Sequence, residues 1–168
     1  MALVLDASVG GSGSNSYCTY ASASAILLMD VFKTATWASL STSTASACLV
    51  YATMLLDAQI QWDGTKETDA QALRWPRTNA EDVDGYSIDD DTHPIWLQEA
   101  VSFYSFFLSQ GDRTLDNDPA GFKSLKAGSL AMVIDKYDRI PTIPSIVWAI
   151  VKPYGTKMAS IPRVLERR

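Results

Sequence analysis

Apolar residues recur at helical steps in three long stretches of the chain. Ala25, Ile26, Leu28, Met29 and Phe32 fall at three- and four-residue intervals, and Thr19 or Ser22 is placed to cap the helix they predict. Ala45, Leu49, Ala52, Met54, Leu55, Leu56 and Ile60 mark a second helix, capped within the hydroxyl-rich run Ser41–Ser46. Asp57 is the sole charge between Ser46 and Ile60, so this helix is expected to be buried on most sides, in the core or between subunits. Ile95, Trp96, Ala100, Phe103, Tyr104, Phe107 and Leu108 predict a third helix with a wide aromatic face, opened by His93-Pro94 and ended at Gly111.

Shorter signals fill the intervals. Leu3-Val4-Leu5 suits a short strand, and Trp37 and Leu40 are placed in a connection. Thr68 or Asp69 caps a short helix that Pro76 stops, with Trp75 leaving it in an extended conformation. Trp75, Pro76 and Arg77 are read as the anchor of the polar loop Thr78–Thr92, because an indole at a helix exit needs apolar cover. Residues 122–134 alternate enough for a hairpin around Ala127-Gly128-Ser129. Pro144 begins a last short helix with Ile146, Val147, Ile150 and Val151, and Pro153 and Gly155 end it. The fold expected is mainly α: a small helical bundle with a short β-hairpin, forming a domain over 1–152, and an extended C-terminal tail over 153–168.

Composition narrows the function classes. At 168 residues and 47% hydrophobic the chain suits one globular domain. The net charge of −5 argues against a general nucleic-acid binder. It is distributed unevenly: five basic side chains and one acidic follow residue 151, against nine basic and eighteen acidic before it. No apolar run approaches the roughly 20 residues of a membrane span, so no membrane partner is expected. Met1–Asp6 has no basic region and is not read as a signal peptide. Cys18 and Cys48 lie in apolar surroundings that fit reduced thiols.

Candidate chemistry is sparse. Gly10–Ser16 lacks the Gly-Lys-Ser/Thr ending of a phosphate loop. Asp82, Asp84 and Gly85 approach a calcium loop, but Ala80 stands where the first carboxylate belongs. His93 is the only histidine and has no Cys/His neighbour in sequence, and no nucleophile motif is present. Neither an enzymatic activity nor a metal or other cofactor is therefore expected.

Asn15-Ser16-Tyr17, Leu55-Leu56-Asp57 with Trp62 and Gly64, Gln71–Arg77, Asp84-Gly85-Tyr86 and His93-Pro94 together resemble the head-tail adaptor, or head completion, proteins of tailed-phage necks. Many relatives there carry a DnaT-like single-stranded-DNA-binding label. The resemblance spans most of 1–155, with Ala72-Leu73-Arg74-Trp75-Pro76-Arg77 its most specific part. It implies a structural virion protein of the phage neck, assembled in the host cytoplasm. It further implies a twelve-membered ring of identical copies between portal and a tail or nozzle protein, with packaged DNA passing through the lumen on weak contacts. The C-terminal segment would dock to the portal, making Tyr154, Lys157, Met158, Ile161, Arg163, Val164, Leu165, Arg167 and Arg168 the implied portal-binding residues. The competing reading is a single-stranded-DNA binder. Such a protein needs basic grooves interleaved with aromatics, and outside the tail Lys123, Lys126, Lys136 and Arg139 form the one such cluster.

Overall fold

The computed structural model describes residues 3–114, 124–127, 130–133 and 141–158. Its elements in chain order are α1 (Tyr20–Leu28), α2 (Thr34–Ala38), α3 (Thr42–Gln59), β1 (Ile60–Trp62), β2 (Thr65–Lys66), β3 (Arg77–Thr78), α4 (Ile95–Gln110), β4 (Ser124–Ala127), β5 (Leu130–Val133), α5 (Ser145–Val151) and β6 (Gly155–Lys157). A single 3₁₀ turn, Lys152–Tyr154, joins α5 to β6. The fold is mainly α with a small β-hairpin.

α4 is the central helix and packs against α1, α3 and α5. Its Leu97, Ala100, Val101 and Tyr104 are fully buried, and so are Leu27 of α1, Leu49 and Leu56 of α3, and Val147 and Val151 of α5. Ser102 and Ser105 are buried on the same helix because their hydroxyls donate to the carbonyls of Gln98 and Ser102. α3 buries one face through Ala45, Leu49, Ala52, Thr53, Leu55 and Leu56, while Met54 is exposed. The broader burial expected of this helix is not seen in the single chain.

The caps follow the sequence. Thr19 Oγ1 accepts from Ser22 N, and Ser41 Oγ accepts from Thr44 N. Pro144 and Pro94 are the N-caps of α5 and α4. Strands β4 and β5 pair antiparallel, Ser124 against Val133 through Ala127 against Leu130, within the predicted hairpin.

Four local expectations differ. α1 ends at Leu28 rather than running to Phe32. Asp30 interrupts it: its carboxylate accepts from Phe32 N, and Thr34 Oγ1 donates to the carbonyls of Leu27 and Asp30, closing the last turn. Trp37 then lies in α2 rather than in a connection, its indole donating to Ser24 Oγ. Residues 68–75 form no helix. The Gln71 side chain accepts from Thr68 N and donates to the carbonyls of Leu73 and Pro76, so the segment wraps around one amide. Leu3–Leu5 is not a strand, and the N-terminal segment is held instead by Asn15, which bonds Asp6 N and Val4 O.

The largest difference lies at the start of the predicted tail. Residues 153–157 belong to the body. β6 pairs antiparallel with β1, Ile60 opposite Lys157 and Trp62 opposite Gly155, and Met158 N extends the ladder to Gln59 O. Ile60 ends α3 by turning to an extended conformation and beginning β1. Residues 159–168 lie outside the described residues.

Candidate nucleic-acid interface

Beneath the β1–β6 ribbon lies a buried polar knot. Asp57 of α3 accepts from Tyr17 Oη (2.7 Å) and Trp62 Nε1 (3.0 Å) through Oδ1, and from Arg74 N (3.1 Å) through Oδ2. The amides of Arg74 and Trp75 also donate to Tyr17 Oη. Burial pushes the Asp57 carboxyl up against the opposing pull of these donors, and burial with the neighbouring Asp57 charge raises Tyr17 well above a phenol's ordinary range. One carboxylate thus ties together the N-terminal segment, α3, β1 and the Gln71–Arg77 segment.

Aromatic packing continues from the knot. Trp75 is 1% exposed. Its ring meets Trp62 and Trp96 edge-on at 6.2 and 5.3 Å, both at 82°. The Trp75–Pro76 peptide is cis. Trp96 stacks face to face on Tyr154, with centroids 3.8 Å apart and planes 6° from parallel. This stack fixes the 3₁₀ turn and aims β6 back along β1. Gly155 permits the close approach: a Cβ there would meet Gln61 O at 2.7 Å and Ile60 Cγ2 at 2.9 Å.

Above the knot the ribbon carries cations. Lys157 reaches back over the half-buried Trp148 of α5, its Nζ 4.5 Å from the ring centroid. Lys152 is exposed at the turn between them. Arg74 donates to the carbonyl of Ile60, the residue opposite Lys157, at 3.2 Å. Arg77 lies further along, donating to Asp63 O and Gly64 O at 2.6 Å each and to Arg74 O at 3.1 Å. Among the described residues no carboxylate forms an ion pair with any of these four cations. An aromatic face beside a row of unpaired cations is the combination that stacks bases and meets phosphates. Acidic neighbours bound it: Asp82 and Asp84, with burial as the larger cause, raise the Tyr154 phenol.

The residues singled out in the sequence are distributed unequally. Tyr154 and Lys157 sit in the ribbon rather than in a free tail, and Met158 is exposed at its end. Ile161, Arg163, Val164, Leu165, Arg167 and Arg168 lie outside the described residues. So do Lys123, Lys136 and Arg139, while Lys126 falls in β4. Trp75, Pro76 and Arg77 are adjacent to the knot. Trp148 escaped the sequence reading, because nothing in sequence joins it to a lysine nine positions on. Tyr17 and Asp57, the hydrogen-bonding centre, stood out in sequence only as parts of the resemblance motifs Asn15-Ser16-Tyr17 and Leu55-Leu56-Asp57 and, for Asp57, as the one charge in an apolar helix.

His93 is buried at the start of α4, its Nδ1 donating to Tyr17 O and its ring edge-on to Tyr17. Among the described residues no group of three or more His, Cys, Asp or Glu side chains is placed to hold a metal. No helix among them is long and apolar enough to cross a membrane.

A family model described as "Putative DnaT-like ssDNA binding protein" matches residues 1–165. No curated protein and no solved structure matches the chain. The family match overturns the phage head-tail adaptor assignment, and with it the virion, neck, portal-docking and twelve-membered-ring description. The physical reason lies in the residues that carried the resemblance. Tyr17, Asp57, Trp62, Gln71 and Trp75 are knot and core residues, which specify a fold and not what the fold binds. Matched over nearly its whole length, the chain belongs to the DnaT-like family.

Proposed function

We propose that the protein binds single-stranded DNA on the ribbon surface formed by α5, the 3₁₀ turn and β6, backed by β1. The observation that carries this reading is the Lys157–Trp148 pair on the surface of a chain from a family described as binding single-stranded DNA. Trp148 offers a base a π face, and the Lys157 ammonium, already over that ring, is one side-chain rotation from a phosphate beside it. Lys152, Arg74 and Arg77 extend the positive row along the strand direction. Because Arg74 and Arg77 are held by backbone carbonyls, their charges are fixed in place and lose little freedom on binding.

The overall charge of −5 sets the character of the binding. Phosphates are repelled by the body and attracted by the ribbon, so binding is salt-sensitive. Four phosphate contacts correspond to a slope of log K on log salt of about −2.8 for single strands. Stacking contributes roughly 1–3 kcal/mol per base, so Trp148→Ala should weaken a labelled oligothymidylate about 5- to 150-fold in fluorescence anisotropy. Lys157→Ala should lower the salt slope by about 0.7. A wild-type protein that leaves the oligonucleotide free at about 100 µM, or a folded Trp148→Ala that binds as the wild type does, would sink the proposal.

A further inference from the structure

The corner between α1 and α2 places four large apolar side chains in water within five residues. Leu28 is 61% exposed, Met29 73%, Val31 80% and Phe32 86%. The corner is built rather than loose. Asp30 accepts from Phe32 N at 2.9 Å, its carbonyl accepts from Lys33 N at 3.0 Å, and Thr34 Oγ1 is bonded back to Leu27 O. Lys33 pairs with Asp30 and lies 5.5–5.9 Å from the ring centroids of Phe103, Phe106 and Phe107. The two charges of the corner therefore compensate each other, and the apolar side chains between them are left without a net charge of their own.

Directly beside this knob is a groove of about 400 Å³, whose walls include Ile26, Phe103, Glu99, Met29 and Phe32. Knob and groove share one face of the molecule. A two-fold contact requires this, since each copy must present both halves of the fit.

We propose that this corner is a self-association surface, in which two copies of the chain meet about a two-fold axis and each Phe32 enters the other's groove. Area supports a second copy as occupant. At about 150–250 Å² for a large aromatic side chain and somewhat less for the aliphatic ones, the four exposed side chains present roughly 500 Å², at the upper end of what monomers leave in water. Two such faces bury roughly 1,000 Å² together, the threshold of a specific though modest interface. A lipid surface fits less well, because the corner's one cation is already paired and the protein carries a net charge of −5. The surface is separate from the ribbon proposed to bind DNA and stands or falls without it.

Sedimentation velocity on the full-length protein tests the proposal, run from about 1 to 100 µM to bracket the modest affinity such an area supports. The expected result is a concentration-dependent shift from one 18.4-kDa chain to two. Phe32→Glu should weaken the dimer by more than about thirtyfold, the effect of losing a central anchor. Val31→Lys should weaken it as well. Both side chains are exposed in the single chain, so at about 1 µM, where the wild type is monomeric, their melting temperatures should match the wild-type value and separate a lost contact from a lost fold. A wild-type protein that remains monomeric throughout would overturn the proposal, and so would a dimer that Phe32→Glu leaves intact. Monomeric protein that floats with phosphatidylcholine vesicles in a Phe32-dependent way would also overturn it, assigning the corner to lipid.

Discussion

Trp75→Ala should be among the most damaging single substitutions in the protein, and Trp75→Phe should be mild. The indole is 1% exposed and touches Trp62 and Trp96 edge-on. Removing roughly 150–200 Å² of buried apolar surface at about 25 cal/mol per Å² costs about 4–5 kcal/mol, within the 3–5 kcal/mol measured for large aromatic truncations. Trp75→Phe loses only the pyrrole part of the ring, about 1 kcal/mol on the same scale. It also removes a buried Nε1–H with no hydrogen-bond partner among the described residues. The phenylalanine variant should therefore lie within about 1 kcal/mol of wild type, and the alanine variant about 4 kcal/mol below it. Urea unfolding followed by circular dichroism at 222 nm measures both, with the slope of each transition checked for constancy. For a chain of this size the alanine variant should melt roughly 8–16 °C lower. Equal losses in the two variants would refute the reasoning, because they would mean that the indole N–H contributes as much as the ring.

Two further substitutions or conditions follow from the same structure. Burial holds the His93 pKa below its ordinary 6.5, so on acidification through the mid-6 range the unfolded chain takes up a proton that the folded chain refuses; stability should fall with decreasing pH, by at most about 1.4 kcal/mol per pH unit, and the fall should vanish in His93→Gln. As His93 is the one histidine in the sequence, urea unfolding between about pH 7 and 5.5 isolates it, and an unchanged slope in the variant would count against the assignment. Gly155→Ala places a methyl 2.7 Å from Gln61 O, so β6 must shift away from β1; a loss of about 1–3 kcal/mol by urea unfolding is expected, together with weaker oligonucleotide binding as Lys157 leaves Trp148.

Elements with a sustained period were legible in the sequence. The core face of α3 follows from the spacing of Leu49, Ala52 and Leu56; on α4 the spacing places Ala100 and Tyr104 correctly but misses Leu97 and Val101 and includes Ile95, which is exposed, while Thr19, Ser41 and Pro144 mark the starts of α1, α3 and α5 as the residue types require. Elements of two or three residues carry no period. Ile60 and Trp62 continue the apolar run of α3 and look like more helix, although the backbone turns extended at Ile60. Residues 68–75 have acceptable helical residues, but one Gln71 amide satisfies three backbone groups in a non-helical path, and hydrogen bonding outweighs propensity there.

The surfaces that matter for binding were hidden for a related reason. Phe32 continues the apolar spacing of Ala25, Leu28 and Met29, so pattern alone assigns it to the core; α1 instead buries Ala23 and Leu27, and the Asp30 turn ends the helix four residues before Phe32 and leaves it at 86% exposure. Lys157 falls in a basic, proline-punctuated stretch that reads as a free tail, yet three ladder residues fold it back onto Trp148. In both places a short local hydrogen-bond arrangement decides which side of a side chain faces water, and hydrophobic periodicity averages over just that length. The adaptor resemblance failed in the complementary way. Its distinguishing residues, Asp57, Gln71 and Trp75 among them, are the ones the fold needs inside, and a motif of interior residues can be retained while the surface above it is assigned to a different partner. What the protein binds is therefore to be sought at Trp148, Lys152 and Lys157 and at Met29, Val31 and Phe32, which interior packing constrains least.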